Sequence, residues 1–193
     1  MFPREIETER LDLRKFCGDE VEVFELYDLF AARNQNIDDV FEYVPREPYS
    51  TVTDARDQLD TAEAQWDDGA GAWYAIYTPD EELAGYAVLN VKWDRKTGDL
   101  GLVLGKNHWG NGFAGECLRV LTELSLDRLD LELVATGYES GNERSERAVE
   151  KFVDAVGGQY DGVVRNRTPV GDEIPDHHRY TVTREQYRDA VAD

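Results

Sequence analysis

The chain has 193 residues, enough for one domain with a full hydrophobic core, and 41 acidic against 21 basic residues leave a formal charge of −20. That balance argues against a direct nucleic-acid partner, because phosphate binding needs a basic footprint. No apolar stretch reaches the roughly 18 residues of a membrane span, and the opening Met1-Phe-Pro-Arg-Glu-Ile-Glu7 lacks the apolar core of a secretory signal, so no membrane contact and a cytoplasmic location are expected.

Residues 6–16 alternate like a strand. Asp19 is placed to cap a helix over residues 20–33, with Val21, Phe24, Leu26, Tyr27, Leu29 and Phe30 on its apolar side. Residues 34–50, with Pro45 and Pro48, read as a loop. Thr51 or Thr53 starts a second helix that runs to about Asp67 and ends at Gly69 and Gly71. Residues 72–78, 83–93 and 99–104 are strands joined by turns at 79–82 and 95–98, an antiparallel meander that leads into a glycine-rich stretch and a helix. A short buried strand over 131–136, a helix over 142–156 ended by Gly157 and Gly158, and a hairpin of 159–167 with 178–183 complete the chain. This order predicts a single α/β (α+β) domain over residues 1–193, a mixed central sheet of about seven strands with helices on both faces.

Residues 107–116, Asn-His-Trp-Gly-Asn-Gly-Phe-Ala-Gly-Glu, stand between the last meander strand and that helix. Gly110 and Gly112 suit a backbone with φ > 0. The first N–H groups of the helix lack intrahelical partners and lie at the positive end of its dipole, so a phosphate fits there without a lysine. No Lys follows Gly112, which rules out a P-loop. Gly110-Asn111-Gly112-Phe113-Ala114-Gly115 meets the dinucleotide fingerprint formally but sits mid-chain, outside a run of βαβ units. A glycine turn with no ligand is the alternative.

Trp-Gly-Asn-Gly-Phe-Ala-Gly-Glu resembles the acyl-CoA pyrophosphate loop of the GCN5-related N-acetyltransferases (GNATs), in particular the RimJ/RimL type, with its Trp-Gly-x-Gly-Tyr/Phe-Ala-x-Glu. Ile6-Glu-Thr-Glu-Arg-Leu-Asp-Leu-Arg14 is similar to that family's first strand, residues 142–151 to its Asn-x-x-Ser-x-x-x-x-x-Lys helix, and residues 179–187 to its closing strand and tail. Asn107 stands where the broad superfamily has Gln or Arg. The resemblance implies an N-acetyltransferase that uses acetyl-CoA and no metal. Its acceptor is then a primary amine, a protein N-terminus as in RimJ/RimL or alternatively a small amine such as a polyamine or an aminoglycoside-like compound. A non-catalytic acyl-CoA-binding module is the reading from another class. Oligomeric state is not legible.

By the same resemblance, Asn107, Trp109, Gly110, Asn111, Gly112, Phe113, Ala114 and Gly115 hold the pyrophosphate. Leu102, Val103 and Leu104 lie on a strand that splays from its neighbour and pairs with the pantetheine arm. Asn142 bonds that arm, or else only caps its helix, and Ser145 lies near the sulfur and protonates the thiolate. Tyr138 is a rival general acid, or a plain strand-end aromatic. Asp99, Glu139, His177 and His178 are candidate bases, with a water chain as the alternative. Histidines on an exposed hairpin are ordinarily inert. Asp176-His177-His178 shows no third ligand, so no metal site is expected. Glu116 favours its helix N-terminus electrostatically.

Cys17 and Cys117 fit no metal spacing, and Cys117 reads as a packed core thiol. The acids are spread along the whole chain and only five basic residues are lysines (Lys15, Lys92, Lys96, Lys106 and Lys151), a pattern resembling halophilic cytosolic proteins. Self-repulsion opposes folding at low salt, and a Debye length of about 3 Å at 1 M salt removes it. Steering of a cationic substrate needs a localised field instead.

Overall fold

The strand expected over residues 6–16 is two strands in the computed structural model, which describes residues 1–192. β1 (Glu5–Glu7) and β2 (Asp12–Lys15) pair antiparallel, with Glu5 opposite Arg14 and Glu7 opposite Asp12. The break comes at Thr8. Its hydroxyl donates to the Leu11 carbonyl at 3.0 Å and accepts the Leu11 N–H at 2.9 Å, so one side chain closes a four-residue turn.

The first helix, α1 (Val23–Phe30), begins after Glu22, whose carboxylate accepts the Phe24 N–H at 3.4 Å; Asp19 is not its cap. Within the expected loop 34–50 lies a short helix, α2 (Ile37–Phe41), held by burial of Ile37, Val40 and Phe41. The next helix, α3 (Val52–Asp67), starts at Thr51 as expected. The Asp54 carboxylate accepts the N–H groups of Ser50 and Thr51 at 2.9 and 2.7 Å, which closes a capping box and lowers the Asp54 pKa. Beyond Gly69 come β3 (Gly71–Tyr77), β4 (Leu83–Lys92) and β5 (Thr97–Leu104).

A further helix, α4 (Phe113–Glu123), runs on into a π-helical turn, Leu124–Arg128. Then follow β6 (Leu133–Glu139), α5 (Glu143–Ala155), β7 (Gln159–Val164), β8 (His177–Thr183) and α6 (Arg184–Val191). The closing strand implied by sequence likeness within residues 179–187 is β8, and the tail after it is the last helix. Thr183 and Gln186 form its capping box.

Among the described residues eight strands form the sheet, in the order β1-β2-β3-β4-β5-β6-β8-β7. One more strand than expected arises because the first is split. The sheet is mixed, since β5 pairs parallel with β6 while β6 with β8 and β7 with β8 are antiparallel.

Two units emerge along the chain, Met1–Leu89 with Leu102–Phe113, and Asn90–Gly101 with the chain from Ala114 onward. The first has an aromatic core. Phe30 meets Phe41 edge-on at 5.7 Å and Tyr86 at 5.8 Å, and Phe16 meets Tyr86 at 5.4 Å. In the second, α5 packs on β6 and β8 with Val149, Phe152 and Val153 buried.

Candidate active site

The parallel ladder of β5 with β6 covers only Thr97–Asp99 against Leu133–Ala135. The rest of β5, including Leu102, Val103 and Leu104, lies outside that ladder. On the other side Gly85 of β4 is indispensable: a Cβ there would stand 2.1 Å from the Val103 carbonyl oxygen. The glycine admits a close approach of backbone that no side chain permits.

The chain then turns through a 3₁₀ segment, Lys106–His108, into the glycine loop. Trp109 donates its indole N–H to the Leu104 carbonyl at 2.9 Å and packs on the first unit's core, which fixes the loop's entry. Asn111 Nδ2 donates to the His108 carbonyl at 3.3 Å. Gly110 and Gly112 both adopt φ +79°, the left-handed backbone expected of them. Phe113, Ala114 and Gly115 form the first turn of α4, where N–H groups have no intrahelical acceptor. Asn107 is exposed at the loop's start. The arrangement can hold an anion by backbone donors at a positive helix end.

Sequence reasoning missed two cations on this stretch. Arg10, from the β1–β2 turn, donates to the Asn111 carbonyl at 2.8 Å and lies 5.4 Å over the Phe113 ring. The Arg119 guanidinium lies 3.6 Å from where a Cβ on Gly115 would stand. Arg119 was legible as the i+4 neighbour of Gly115 on one helix. Arg10, 101 residues before Asn111, was not.

In the second unit Asn142 is the N-cap of α5. Its Oδ1 accepts the Ser145 N–H at 3.1 Å, so the capping role is real. The Ser145 hydroxyl is half-buried one turn into the helix and has no hydrogen-bond partner among the described residues. Tyr138 is buried at the end of β6. Its hydroxyl donates to Glu146 at 3.0 Å and lies 3.5 Å from the Tyr180 hydroxyl. Burial, and then bonds to Tyr180 and Glu146, raise its pKa.

The histidines differ from expectation. His177 is buried, not exposed on a hairpin. Its Nδ1 bonds Glu139 Oε1 at 3.0 Å and its Nε2 faces the Arg167 guanidinium. Burial first, then the Arg167 charge, pushes its pKa down to about 4, so the ring is neutral near pH 7. It then donates from Nδ1 to the carboxylate and accepts from Arg167 at Nε2. Its lone pair is engaged, which removes it as a ready base. Gly137 makes the space: a Cβ there would stand 2.5 Å from His177 Nε2. His178 stacks on Tyr138 at 4.8 Å, with Ser140 Oγ at 3.0 Å from Nε2 and the Tyr160 hydroxyl at 3.1 Å from Nδ1. Asp99 stands 3.9 Å from Arg179. Both cysteines are buried and form no disulfide, and burial pushes the Cys117 thiol up to about 12.

Residues 10–152 match the family model described as acetyltransferase (GNAT) domain. The chain belongs to the GNAT acetyltransferases. This GNAT chain is similar to the uncharacterized N-acetyltransferase p20 of Bacillus licheniformis, 25% identical over 183 residues that cover 93% of this chain and 96% of the relative. In fold it is similar to the Microcin C7 self immunity acetyltransferase MccE, solved in complex with acetyl-CoA and AMP. The TM-score is 0.81 at 16% identity, with 94% of this chain and 97% of that one covered. The ribosomal-protein-S5-alanine acetyltransferase from Vibrio fischeri is also similar in fold (TM-score 0.77, 13% identity, 95% and 98% covered). The GNAT protein is thus an acetyl-CoA-dependent N-acetyltransferase with a mixed-sheet GNAT fold.

Proposed function

We propose that the enzyme acetylates a protein N-terminal amine, and that residues 1–193 act as one catalytic domain. The observation that carries the cosubstrate reading is the run of chain from Leu104 to α4. It is a strand end, two glycines at φ +79° and an open helix start, with no lysine after Gly112. The backbone N–H groups of Gly110–Gly115 hold the pyrophosphate of acetyl-CoA. Leu102, Val103 and Leu104, outside the β5–β6 ladder, have backbone groups for the pantetheine arm. The bound cosubstrate supplies an activated acetyl thioester.

Each remaining role falls to a group of this chain. Asn142 keeps its carboxamide oxygen on the Ser145 N–H and turns its amide N–H groups to the pantetheine arm. As the amine nitrogen bonds the acetyl carbon and the C–S bond breaks, Ser145 Oγ, which has no partner among the described residues, gives a proton to the departing sulfur and regains one from the water that takes the proton of the amine. Tyr138 is the weaker acid candidate, because Glu146 already accepts its proton donor and burial raises its pKa. Base function falls to water, since His177 and His178 both have their ring nitrogens engaged, Glu139 accepts from His177 and Asp99 faces Arg179.

The N-terminal acceptor is supported by fold likeness to a ribosomal-protein acetyltransferase. The spread charge of −20 fits a cytosolic protein adapted to high salt. Thiol release from acetyl-CoA, measured with N-terminal peptides, polyamines and aminoglycosides in molar KCl, tests the reading. Turnover with peptides alone supports it. Turnover with small amines alone moves the enzyme to the small-amine class. Tight acetyl-CoA binding with no turnover on any amine refutes catalysis.

A further inference from the structure

We infer that Arg10 is a positioning residue of the glycine loop: it aims the Gly112 N–H at the phosphates of the bound nucleotide by anchoring the carbonyl on the other side of the same peptide plane. The inference rests on the reading of the loop as the pyrophosphate site of acetyl-CoA. In a trans peptide the C=O and the N–H of one unit point in opposite directions. The Asn111 carbonyl and the Gly112 N–H belong to one such unit. Arg10 Nη1 holds that carbonyl at 2.8 Å, so the N–H is directed away from the guanidinium.

Two contacts, with the guanidinium lying beside the glycine between them, make this a clamp rather than a single bond. Nη1 is on Asn111, Nη2 would lie 3.4 Å from a Cβ on Gly112, and the guanidinium covers the Phe113 ring at 5.4 Å. The planar fork of an arginine suits hydrogen bonding and ring stacking at once. The loop needs such a clamp because it contains two glycines at φ +79°, and glycine loses the most freedom when ordered. A loop ordered beforehand binds more tightly than one ordered by its ligand. The hairpin tip that carries Arg10 is itself fixed, since Thr8 bonds both backbone groups of Leu11. Anchor and loop are thus tied across 101 residues of chain.

Direct binding of CoA and of S-acetylpantetheine, which lacks the pyrophosphate, to the wild type, Arg10→Met and Arg10→Lys tests the inference. Arg10→Met is expected to weaken CoA by about tenfold, as for a lost charge-assisted hydrogen bond, and to leave S-acetylpantetheine unchanged. Arg10→Lys should recover part of the CoA affinity, because an ammonium restores the bond to the carbonyl but not the stack on Phe113. Arg10 is exposed, so both variants are expected to fold with a near wild-type melting temperature. Equal CoA affinity in wild type and Arg10→Met overturns the inference alone. Equal loss of both ligands also overturns it, since the residue would then support the fold and not the phosphate donors. A folded wild type that does not bind CoA overturns the acetyl-CoA reading and this inference with it.

Discussion

His177 makes stability depend on pH in a direction that can be worked out from its surroundings. The ring is 8% exposed, with Glu139 on Nδ1 and Arg167 on Nε2. Its pKa falls from 6.5 to about 4 on folding, because burial and Arg167 both oppose a positive ring. Between these values the unfolded chain binds a proton that the folded chain does not. The contribution is therefore complete above about pH 6.5 and is lost as the pH falls through about 4. The fall from 6.5 to about 4, at about 1.4 kcal/mol per pH unit, corresponds to about 3.5 kcal/mol, of which about 3 kcal/mol is lost by about pH 4. Glu139 opposes the trend: burial raises its pKa, and its Oε2 is buried with no partner among the described residues, so the folded state takes up its proton more readily. A difference between variants removes that contribution. His177→Gln keeps a donor for Glu139 and an acceptor for Arg167 but does not titrate. In urea unfolding at constant salt, the wild type should lose about 3 kcal/mol more than His177→Gln between about pH 7 and about pH 4. Parallel stability profiles for the two proteins would refute the buried, neutral assignment.

Gly112→Val adds a branched side chain at φ +79° beside Arg10 and should weaken CoA at least about tenfold, read by calorimetry on folded protein. Ser145→Ala should lower kcat by about 10²–10⁴ and leave CoA affinity unchanged; a wild-type kcat would transfer the proton to Tyr138 or water. Asn142→Ala should cost about 1 kcal/mol of stability by removing the α5 cap. Asn142→Asp keeps the accepting oxygen and should preserve stability while it raises KM for acetyl-CoA. The −20 charge predicts a melting temperature that climbs steeply from dilute buffer to molar KCl, and a flat profile contradicts the salt-adaptation reading.

Sequence alone determined the features that depend on neighbours along the chain. Glycines at 110 and 112 between a strand and a helix announce a left-handed turn and an open helix start, and both are present. Thr51 before α3 and Asn142 before α5 mark helix starts, since a cap and its N–H partners are two or three residues apart. Where two local signals overlapped, the pattern misled: alternation across residues 6–16 reads as one strand, yet Thr8 folds it into two. Only the tertiary structure decided which distant residues meet. Alternation places His177 and His178 on opposite faces of β8 but does not say which face is buried. The register of β8 on β6 sets Gly137 opposite Arg179, with the His177 ring in the space that glycine leaves. Arg10 reaches Asn111 across 101 residues for the same reason. Strand register and hairpin docking are set by the free energy of the whole packed sheet, and no short window of sequence contains both partners.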